Sequence, residues 1–209
     1  SDISIWAKRA DSAPGVLMAA RAAQGILAVG AALKAEMVAA GMDGGKITIH
    51  HTGLDATLFH PMDRAAARAQ WGLPPAAPVL LTVGALIPRK GQALVIEAMR
   101  SLPADTLYCL AGTGADGPRL MGLAAAAGVA DRVRLLGSVP NARLGSLYAA
   151  ADAMVLPSVS EGLANAWVES LACGTPLVLA DIPPAHEVID SPAAGRITAA
   201  TGPAFATAI

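Results

Sequence analysis

The chain has 209 residues, of which 54% are hydrophobic and 15% are charged, and its formal net charge at pH 7 is −1. This length and apolar content suffice for one good core, or for one domain and part of another. The near-zero charge provides no general attraction to nucleic acid or to anionic membranes, so we predict no nucleic-acid partner. No apolar run approaches the roughly 20 residues of a membrane span.

Neither the start of the chain nor its cysteines suggests secretion. The first residues lack the basic and apolar regions of a signal peptide. Cys109 and Cys173 form no CxxC pattern, so we expect both to be reduced and buried in a cytoplasmic protein. Because the chain begins without Met and ends in TGPAFATAI, which resembles part of a helix, we expect a fragment of a longer protein.

The predicted elements alternate between apolar strands and alanine-rich helices. In the first part of the chain, strands at 26–29 and 46–53 flank a helix at 32–41 that Gly41 would end. A connector with Gly, Pro and Asp then leads to a helix that ends at Gly72. The remaining strands are predicted at 79–84, 106–112, 133–138, 153–158 and 176–181. The helices between and after them are predicted at 91–102, 118–128, 142–151, 164–174 and 184–190.

This alternation predicts an α/β fold. Strands that are apolar throughout, without alternation of polar residues, are buried on both faces. Strands and helices in strict succession then form a doubly wound, Rossmann-like parallel sheet. Ligands of such sheets bind beyond the carboxyl ends of the strands, so the loops that follow the strands are the candidates for a functional site.

The loop after the strand at 79–84 contains two adjacent cations. Its sequence is GALIPRKG, with Arg89 and Lys90 side by side. Arg offers a planar fork of donors and Lys a compact charge, and together they suit a diphosphate. A solvated basic pair ahead of a helix is the alternative interpretation, and the residues alone leave it open.

The loop after the strand at 153–158 leads into a helix and contains two carboxylates, Glu161 and Glu169. Free N–H groups where the helix begins, near Leu163–Asn165, form an anion site. If the segment were helical throughout, the two carboxylates would lie about 12 Å apart, which matches the hexose-to-ribose length of a nucleotide sugar. Each Glu alone also fits a first turn favoured by the helix dipole or a solvated helix face.

Residues 111–117 read AGTGADG and contain the glycine pattern of a dinucleotide-binding loop. In a dehydrogenase, an acidic residue about 20 positions later ends the next strand and binds ribose. Here that strand ends in Gly137, Ser138 and Val139, and the pattern follows the second strand of the series rather than the first. We therefore interpret AGTGADG as a tight turn beside a nucleotide and not as a dehydrogenase fingerprint.

Several motifs in order resemble the retaining glycosyltransferases of family four, which have the GT-B architecture of two Rossmann domains. The resemblance rests on RKG (89–91), EGLANAWVES (161–170) and ACGTPLVLAD (172–181), together with LAGTG, VRLLGSV and LYAAADAMVLPSVSEG. Upstream, residues 28–61 resemble the end of the family's first domain.

The resemblance also implies a division of the chain. Residues 1–57 would be a remnant of the acceptor-side domain with its linker, and residues 58–209 would be the donor-binding domain, cut near its C-terminus. The acceptor site and the Gly-rich loop of the first domain would precede this chain, so we expect the isolated chain to bind nucleotide without turnover. One departure from the family pattern is Gly30, which stands where Ser is common.

The resemblance implies a role for each matching residue. Arg89 and Lys90 match the pair that binds the donor diphosphate, Glu161 the carboxylate near the transferred sugar, and Glu169 the carboxylate that binds the ribose hydroxyls. Other matching positions border the nucleotide or provide backbone amides to sugar and phosphate. These positions are Gly112, Gly114, Ser138, Val139, Gly162, Leu163, Ala164, Asn165 and Ala166.

The implied activity is transfer of a hexose-type sugar from a nucleoside-diphosphate-sugar donor to an acceptor hydroxyl, with retention. We predict no metal or other cofactor, because the chain has no Asp-x-Asp and an Arg–Lys pair with a helix terminus can replace the cation. Family analogy suggests a sugar or lipid-linked acceptor and peripheral association with the inner membrane face through the first domain. The alternatives are an epimerase or phosphorylase of the same architecture, or a non-catalytic nucleotide-binding module.

Overall fold

The computed structural model describes residues 6–7 and 9–209, and within these residues the strands form two parallel sheets. The first sheet and its helices are called the two-stranded unit. It consists of helix α1 (Ala13–Ala22), strand β1 (Ile26–Ala28), helix α2 (Ala31–Ala39) and strand β2 (Ile47–Ile49).

The second sheet and its helices are called the six-stranded domain. Its strands are β3 (Val79–Val83), β4 (Leu107–Ala111), β5 (Val133–Gly137), β6 (Ala153–Leu156), β7 (Leu177–Ala180) and β8 (Gly195–Thr198). Its helices are α3 (Arg64–Gln70), α4 (Gln92–Ala98), α5 (Gly117–Ala126), α6 (Asn141–Ala150), α7 (Asn165–Ala172), α8 (Ala185–Val188) and α9 (Gly202–Ala208).

The strand order of the larger sheet is β5-β4-β3-β6-β7-β8, and all pairs are parallel. The chain therefore builds the sheet outward from β3 in one direction and then returns to β6 to build it in the other. The prediction of a doubly wound, Rossmann-like sheet is confirmed. The boundary between β3 and β6 is the topological switch point, where folds of this type bind ligands.

The core of the six-stranded domain lies on both faces of its sheet, because successive strand residues point to opposite sides. Leu81 belongs to one buried apolar cluster and its neighbour Leu80 to another. The edge strand β5 departs from the prediction of burial on both faces, since Leu135 is 42% exposed. Strand β8, at the other edge, is not among the predicted elements. Its sequence, GRIT, contains no apolar run to indicate a strand.

Local signals account for several helix ends. Asp63 accepts a hydrogen bond from the backbone N–H of Ala66 and so caps α3. Gly41 and Gly72 follow α2 and α3 with positive φ angles of 95° and 59°, as expected for glycines that end helices. Pro118 lies in the first turn of α5, where its missing N–H is not needed.

Both cysteines are free and buried, as predicted. Burial raises the pKa of the Cys109 thiol to about 11 and that of the Cys173 thiol to about 11, so both remain protonated near neutral pH. Across the described part of the chain, none of the helices combines the length and apolar character that crossing a bilayer requires.

Candidate functional site

The two loops at the topological switch point pack backbone against backbone. They are residues 84–91, which follow β3, and residues 157–164, which follow β6, and together they are called the switch-point loops. Gly91 has a φ of 72°, and a Cβ added there would lie 2.2 Å from the carbonyl oxygen of Pro157. The backbone N–H of Val159 donates to the carbonyl of Arg89 at 3.0 Å. Only glycine allows this approach, which fixes one loop against the other.

The predicted cations and the first predicted carboxylate meet where these loops touch. The Arg89 guanidinium donates from Nη1 to the backbone oxygen of Ser160 at 3.0 Å. The Lys90 ammonium lies 2.5 Å from Oε1 of Glu161, and the two side chains are only 13% and 8% exposed. Arg89, Lys90 and Glu161 therefore form one cluster of charges at the switch point.

Helix α7 begins at Asn165, beyond the second switch-point loop. Its N-cap residue is Ala164, which makes no side-chain capping hydrogen bond. The N–H of Trp167 donates to the oxygen of Ala164 at 3.0 Å, so the amides before Trp167 are the candidates for binding an anion. Glu161 lies before the helix. The estimate of about 12 Å between the two carboxylates assumed a helix throughout, and that assumption does not hold because the helix begins only at Asn165.

The second carboxylate, Glu169, is held by a tyrosine that the sequence interpretation did not single out. The hydroxyl of Tyr148, on α6, donates to Oε2 of Glu169 at 2.9 Å. Tyr148 is fully buried, whereas Glu169 is partly exposed on α7. Burial and then the negative charge of Glu169 raise the pKa of Tyr148 above its ordinary value. The tyrosine therefore stays a hydrogen-bond donor at any ordinary pH.

The AGTGADG turn packs against the first switch-point loop. A Cβ at Gly112 would lie 2.0 Å from the oxygen of Gly84, and one at Gly114 would lie 2.2 Å from the oxygen of Leu86. The N–H of Leu86 donates to the oxygen of Thr113 at 2.9 Å. These glycines thus have a structural reason to lack side chains, because they admit the neighbouring backbone.

The remaining predicted positions lie in loops at the same edge of the sheet. The N–H of Gly112 donates to the oxygen of Gly137 at 2.7 Å, which links the AGTGADG turn to the loop after β5. In that loop Ser138 is exposed, and Val139 is half-buried against the core. The residues just before and at the start of α7 are half-buried, except for the exposed Asn165. These half-buried residues are Gly162, Leu163, Ala164 and Ala166.

One buried hydroxyl beside the cluster has no partner. Ser158, in the second switch-point loop, is fully buried, and among the described residues its Oγ makes no hydrogen bond. An unsatisfied buried hydroxyl costs about 1–3 kcal/mol. The sequence signal was a serine two residues after a buried strand, but only the structure reveals its burial.

The chemistry of the cluster follows from its charges. Two cations and an uncapped helix start can stabilise negative charge at one edge of the sheet. Glu161, close to Lys90, and Glu169, farther along α7, are acceptors for hydroxyl groups. The arrangement suits a ligand that is anionic in its middle and rich in hydroxyls at both ends.

Comparison with known proteins agrees with this architecture. Residues 63–208 match the family described as Glycosyl transferases group 1. The D-inositol 3-phosphate glycosyltransferase of Mycobacteroides abscessus is 39% identical over 144 residues, which are 67% of this chain and 32% of that protein. D-inositol 3-phosphate glycosyltransferase 2 of Catenulispora acidiphila is 35% identical over 182 residues, or 81% of this chain and 43% of that protein. The chain thus spans less than half the length of these relatives.

Solved structures share the fold. Sucrose-phosphate synthase from Thermosynechococcus elongatus superposes with a TM-score of 0.84 and 26% identity, covering 96% of this chain and 53% of the synthase. Anabaena HepE, solved in complex with UDP-glucose, superposes with a TM-score of 0.86 and 23% identity, covering 94% of this chain and 56% of HepE. The α/β fold is therefore that of the C-terminal domain of a GT-B glycosyltransferase.

Proposed function

This chain belongs to the glycosyl transferases group 1 family, and we propose that its six-stranded domain binds the nucleoside-diphosphate-sugar donor of a sugar transfer with retention. The observation that supports this most strongly is the contact of the two loops at the topological switch point. They bring Arg89, Lys90 and Glu161 together, next to the uncapped start of α7. The acceptor would be a hydroxyl of a sugar or of a lipid-linked acceptor.

The chemical work in this proposal is to stabilise the leaving group. As the bond to the anomeric carbon breaks, negative charge grows on the departing diphosphate. Preorganised cations and amides aimed at that charge lower the barrier, because they need no reorganisation during the reaction. Arg89, Lys90 and the first-turn amides of α7 are the groups proposed to do this, with no metal or other cofactor in the mechanism.

The two carboxylates have separate proposed roles. Glu161 accepts hydrogen bonds from hydroxyls of the transferred sugar, and its contact with Lys90 keeps the sugar end of the site next to the diphosphate end. Glu169 accepts hydrogen bonds from the ribose diol. The loops at Gly112, Gly114, Ser138 and Val139 border the nucleotide in this proposal.

Acceptor binding and location are proposals for the whole protein. We propose a cytoplasmic enzyme whose first domain binds the acceptor and associates with the inner face of the membrane. Two relatives are named for transfer to D-inositol 3-phosphate, so this polyol phosphate is the first acceptor to test. Product analysis with and without acceptor separates transfer from epimerisation and phosphorolysis.

Titration calorimetry of the chain with UDP, GDP and ADP tests the donor site, and UDP-glucose is the first nucleotide sugar to try. We expect one of the three nucleotides to bind, and Arg89→Ala or Lys90→Ala to weaken that binding at least about tenfold. Arg100→Ala, which removes an exposed cation two residues beyond the end of α4, is the matched control and should bind as the parent does. Absence of heat with all three nucleotides contradicts the proposal.

The same substitutions give a test of turnover in the whole protein. Because the two cations act on the leaving group, we expect Arg89→Ala and Lys90→Ala each to lower turnover at least about tenfold. Unchanged turnover in either variant would remove that residue from the mechanism.

A further inference from the structure

Tyr148 fixes the orientation of the Glu169 carboxylate. Its hydroxyl donates to Oε2 of Glu169, and among the described residues Oε1 of Glu169 has no hydrogen bond to the protein. A partly exposed glutamate on a helix surface normally samples several rotamers. Here one carboxylate oxygen is bonded to a buried group, so the other is held in one place.

The Tyr148 side chain is itself held in place by its neighbours, so it can hold the Glu169 carboxylate in one orientation. Its backbone oxygen accepts a hydrogen bond from Oγ1 of Thr175 at 2.7 Å. Its ring meets the edge of Phe59, with the ring centroids 6.2 Å apart. The tyrosine belongs to the large apolar cluster on one face of the sheet, and buried side chains of this kind occupy single rotamers.

The protonation states give the bond its direction. Burial and the charge of Glu169 raise the pKa of Tyr148, so the phenol keeps its proton and the carboxylate is the acceptor. With Oε2 occupied, Oε1 keeps its lone pairs for a ligand hydroxyl. A diol bound at Oε1 would therefore meet an acceptor already in position.

We propose that Tyr148 is a positioning residue that holds Glu169 for the ribose diol and thereby sets a preference for ribonucleotides over 2′-deoxyribonucleotides. This inference rests on the proposed donor site. It extends that proposal by naming the residue that makes the site distinguish ribose from 2′-deoxyribose. A site built to hydrogen-bond a hydroxyl discriminates against a ligand that lacks it, because its polar group is then left unpaired. That discrimination is lost when the acceptor is free to turn away.

The test compares paired nucleotides on the chain by titration calorimetry. The pairs are UDP with 2′-deoxy-UDP, GDP with 2′-deoxy-GDP, and ADP with 2′-deoxy-ADP, and the pair with the tightest ribonucleotide is used. We expect the parent to prefer the ribonucleotide at least about tenfold. Tyr148→Phe keeps the ring and removes only the hydroxyl. It should weaken the ribonucleotide more than the deoxyribonucleotide, which has only the 3′-hydroxyl to offer Glu169, and so reduce the preference to less than about threefold.

The chain contains a matched control, because both of its two tyrosines are buried. The hydroxyl of Tyr108 lies 2.7 Å from Oγ1 of Thr82, in the cluster on the other face of the sheet. Tyr108→Phe therefore removes an equally buried tyrosine hydroxyl away from Glu169 and should keep the full ribose preference. A melting curve of each variant accompanies the titrations.

Each outcome decides between the claims. If Tyr148→Phe keeps the full preference, or weakens both nucleotides equally, the positioning role is wrong and the donor site stands. If the parent binds both sugars equally, Glu169 is not a ribose ligand and the inference fails. If none of the ribonucleotides binds, the proposed function fails and the inference with it.

A second variant covers the case in which Tyr148→Phe does not fold. Glu169→Asp keeps the charge on the partly exposed surface of α7 but withdraws the carboxylate from the Tyr148 hydroxyl by one methylene. We expect the ribose preference to fall below about threefold in this variant as well. A preference equal to that of the parent would overturn the inference.

Discussion

Several glycines in the six-stranded domain allow one backbone to meet another. At the contact of Gly30 with Glu187, called the joint between the two-stranded unit and the six-stranded domain, a glycine instead admits a side chain. A Cβ at Gly112 would meet the Gly84 backbone oxygen at 2.0 Å, and one at Gly91 would meet the Pro157 backbone oxygen at 2.2 Å. At the joint, a Cβ at Gly30 would meet the carboxylate of Glu187 at 2.7 Å. Backbone atoms anchored at the ends of buried strands cannot easily move aside, but the end of a glutamate side chain can.

The contact at the joint is an N-terminal cap of helix α2, formed by a residue that is far away in the sequence. Helix α2 has Gly30 at its N-cap position and so has no capping side chain of its own. Glu187, from α8, accepts hydrogen bonds from the N–H groups of Ala31 and Ala32, both at 2.7 Å. The absence of a Cβ at Gly30 makes room for that carboxylate. The comparison thus separates two regions. The six-stranded domain, called the platform, is rigid because its loops pack backbone against backbone. The two-stranded unit contacts it through the exposed carboxylate of Glu187.

The packing of Gly112 against the Gly84 backbone should be the contact whose disruption lowers the free energy of unfolding most. Gly112→Ala adds a methyl group 2.0 Å from the Gly84 oxygen at a residue whose φ is 146°. Overpacking and backbone strain each contribute roughly 1–3 kcal/mol, so we expect a loss of about 4 kcal/mol in the free energy of unfolding. Urea denaturation of the chain measures it.

Gly122→Ala is the control for this substitution, because nothing lies within 4 Å of a Cβ added there, in the interior of α5. Alanine is the better helix former, so this change should stabilise the chain by about 0.5–1 kcal/mol. A loss of less than about 1 kcal/mol for Gly112→Ala would mean that the switch-point loops are not rigid.

Substitution in the charge cluster of the platform should have the next largest effect on the free energy of unfolding. Lys90→Met leaves Glu161, which is 8% exposed, without its partner at 2.5 Å. Breaking a buried ion pair by removing one partner destabilises by about 3 kcal/mol. The double variant Lys90→Met/Glu161→Gln removes both charges, and we expect its unfolding free energy to lie within about 1 kcal/mol of the parent value. A double variant no more stable than the single one would mean that the loss does not come from the unpaired charge of Glu161.

Most of the platform could be predicted because its signals are local. Strands β3, β4, β6 and β7 are short apolar runs buried throughout or nearly so, and each is followed by a helix. Once the parallel sheet is inferred, the carboxyl ends of its strands must share one edge, which brings Arg89, Lys90 and Glu161 together. The edge strand β8 lacks an apolar run, so periodicity alone does not find it.

What could not be predicted depends on contacts between elements. The bond from Tyr148 to Glu169 joins two helices and depends on how they pack over the sheet. The contact of Glu187 with Ala31 joins residues 156 positions apart. From the sequence, Gly30 stood out as a departure from the family's usual serine, and the structure provides the physical reason, which is the carboxylate that occupies the space of a side chain.

Substitution at the joint should have the smallest effect on stability. It should also separate the two regions most clearly, because only one of them should respond. Glu187→Ala removes the cap of α2, and an N-cap interaction is worth about 1 kcal/mol. We expect hydrogen exchange at the amides of Ala31 and Ala32 to become faster, with little change in the amides of β3 and β4. Gly30→Ser supplies a local capping hydroxyl and displaces Glu187, so Glu187→Ala in that background should leave these exchange rates nearly unchanged. Equal effects of Glu187→Ala in both backgrounds would contradict a shared cap.

The cysteines provide an independent check of this separation, since Cys109 and Cys173 both lie in the six-stranded domain and are buried. With thiol pKa values near 11, about one thiol in a thousand is ionised at pH 8, and alkylation by iodoacetamide requires the domain to open. Glu187→Ala and Gly30→Ser should leave the alkylation rate within about twofold of the parent rate, because distant effects on stability are independent. Gly112→Ala should raise it about a hundredfold or more, because it destabilises the domain that buries the thiols. Faster alkylation in Glu187→Ala would mean that the cap supports the platform as well as the helix it touches.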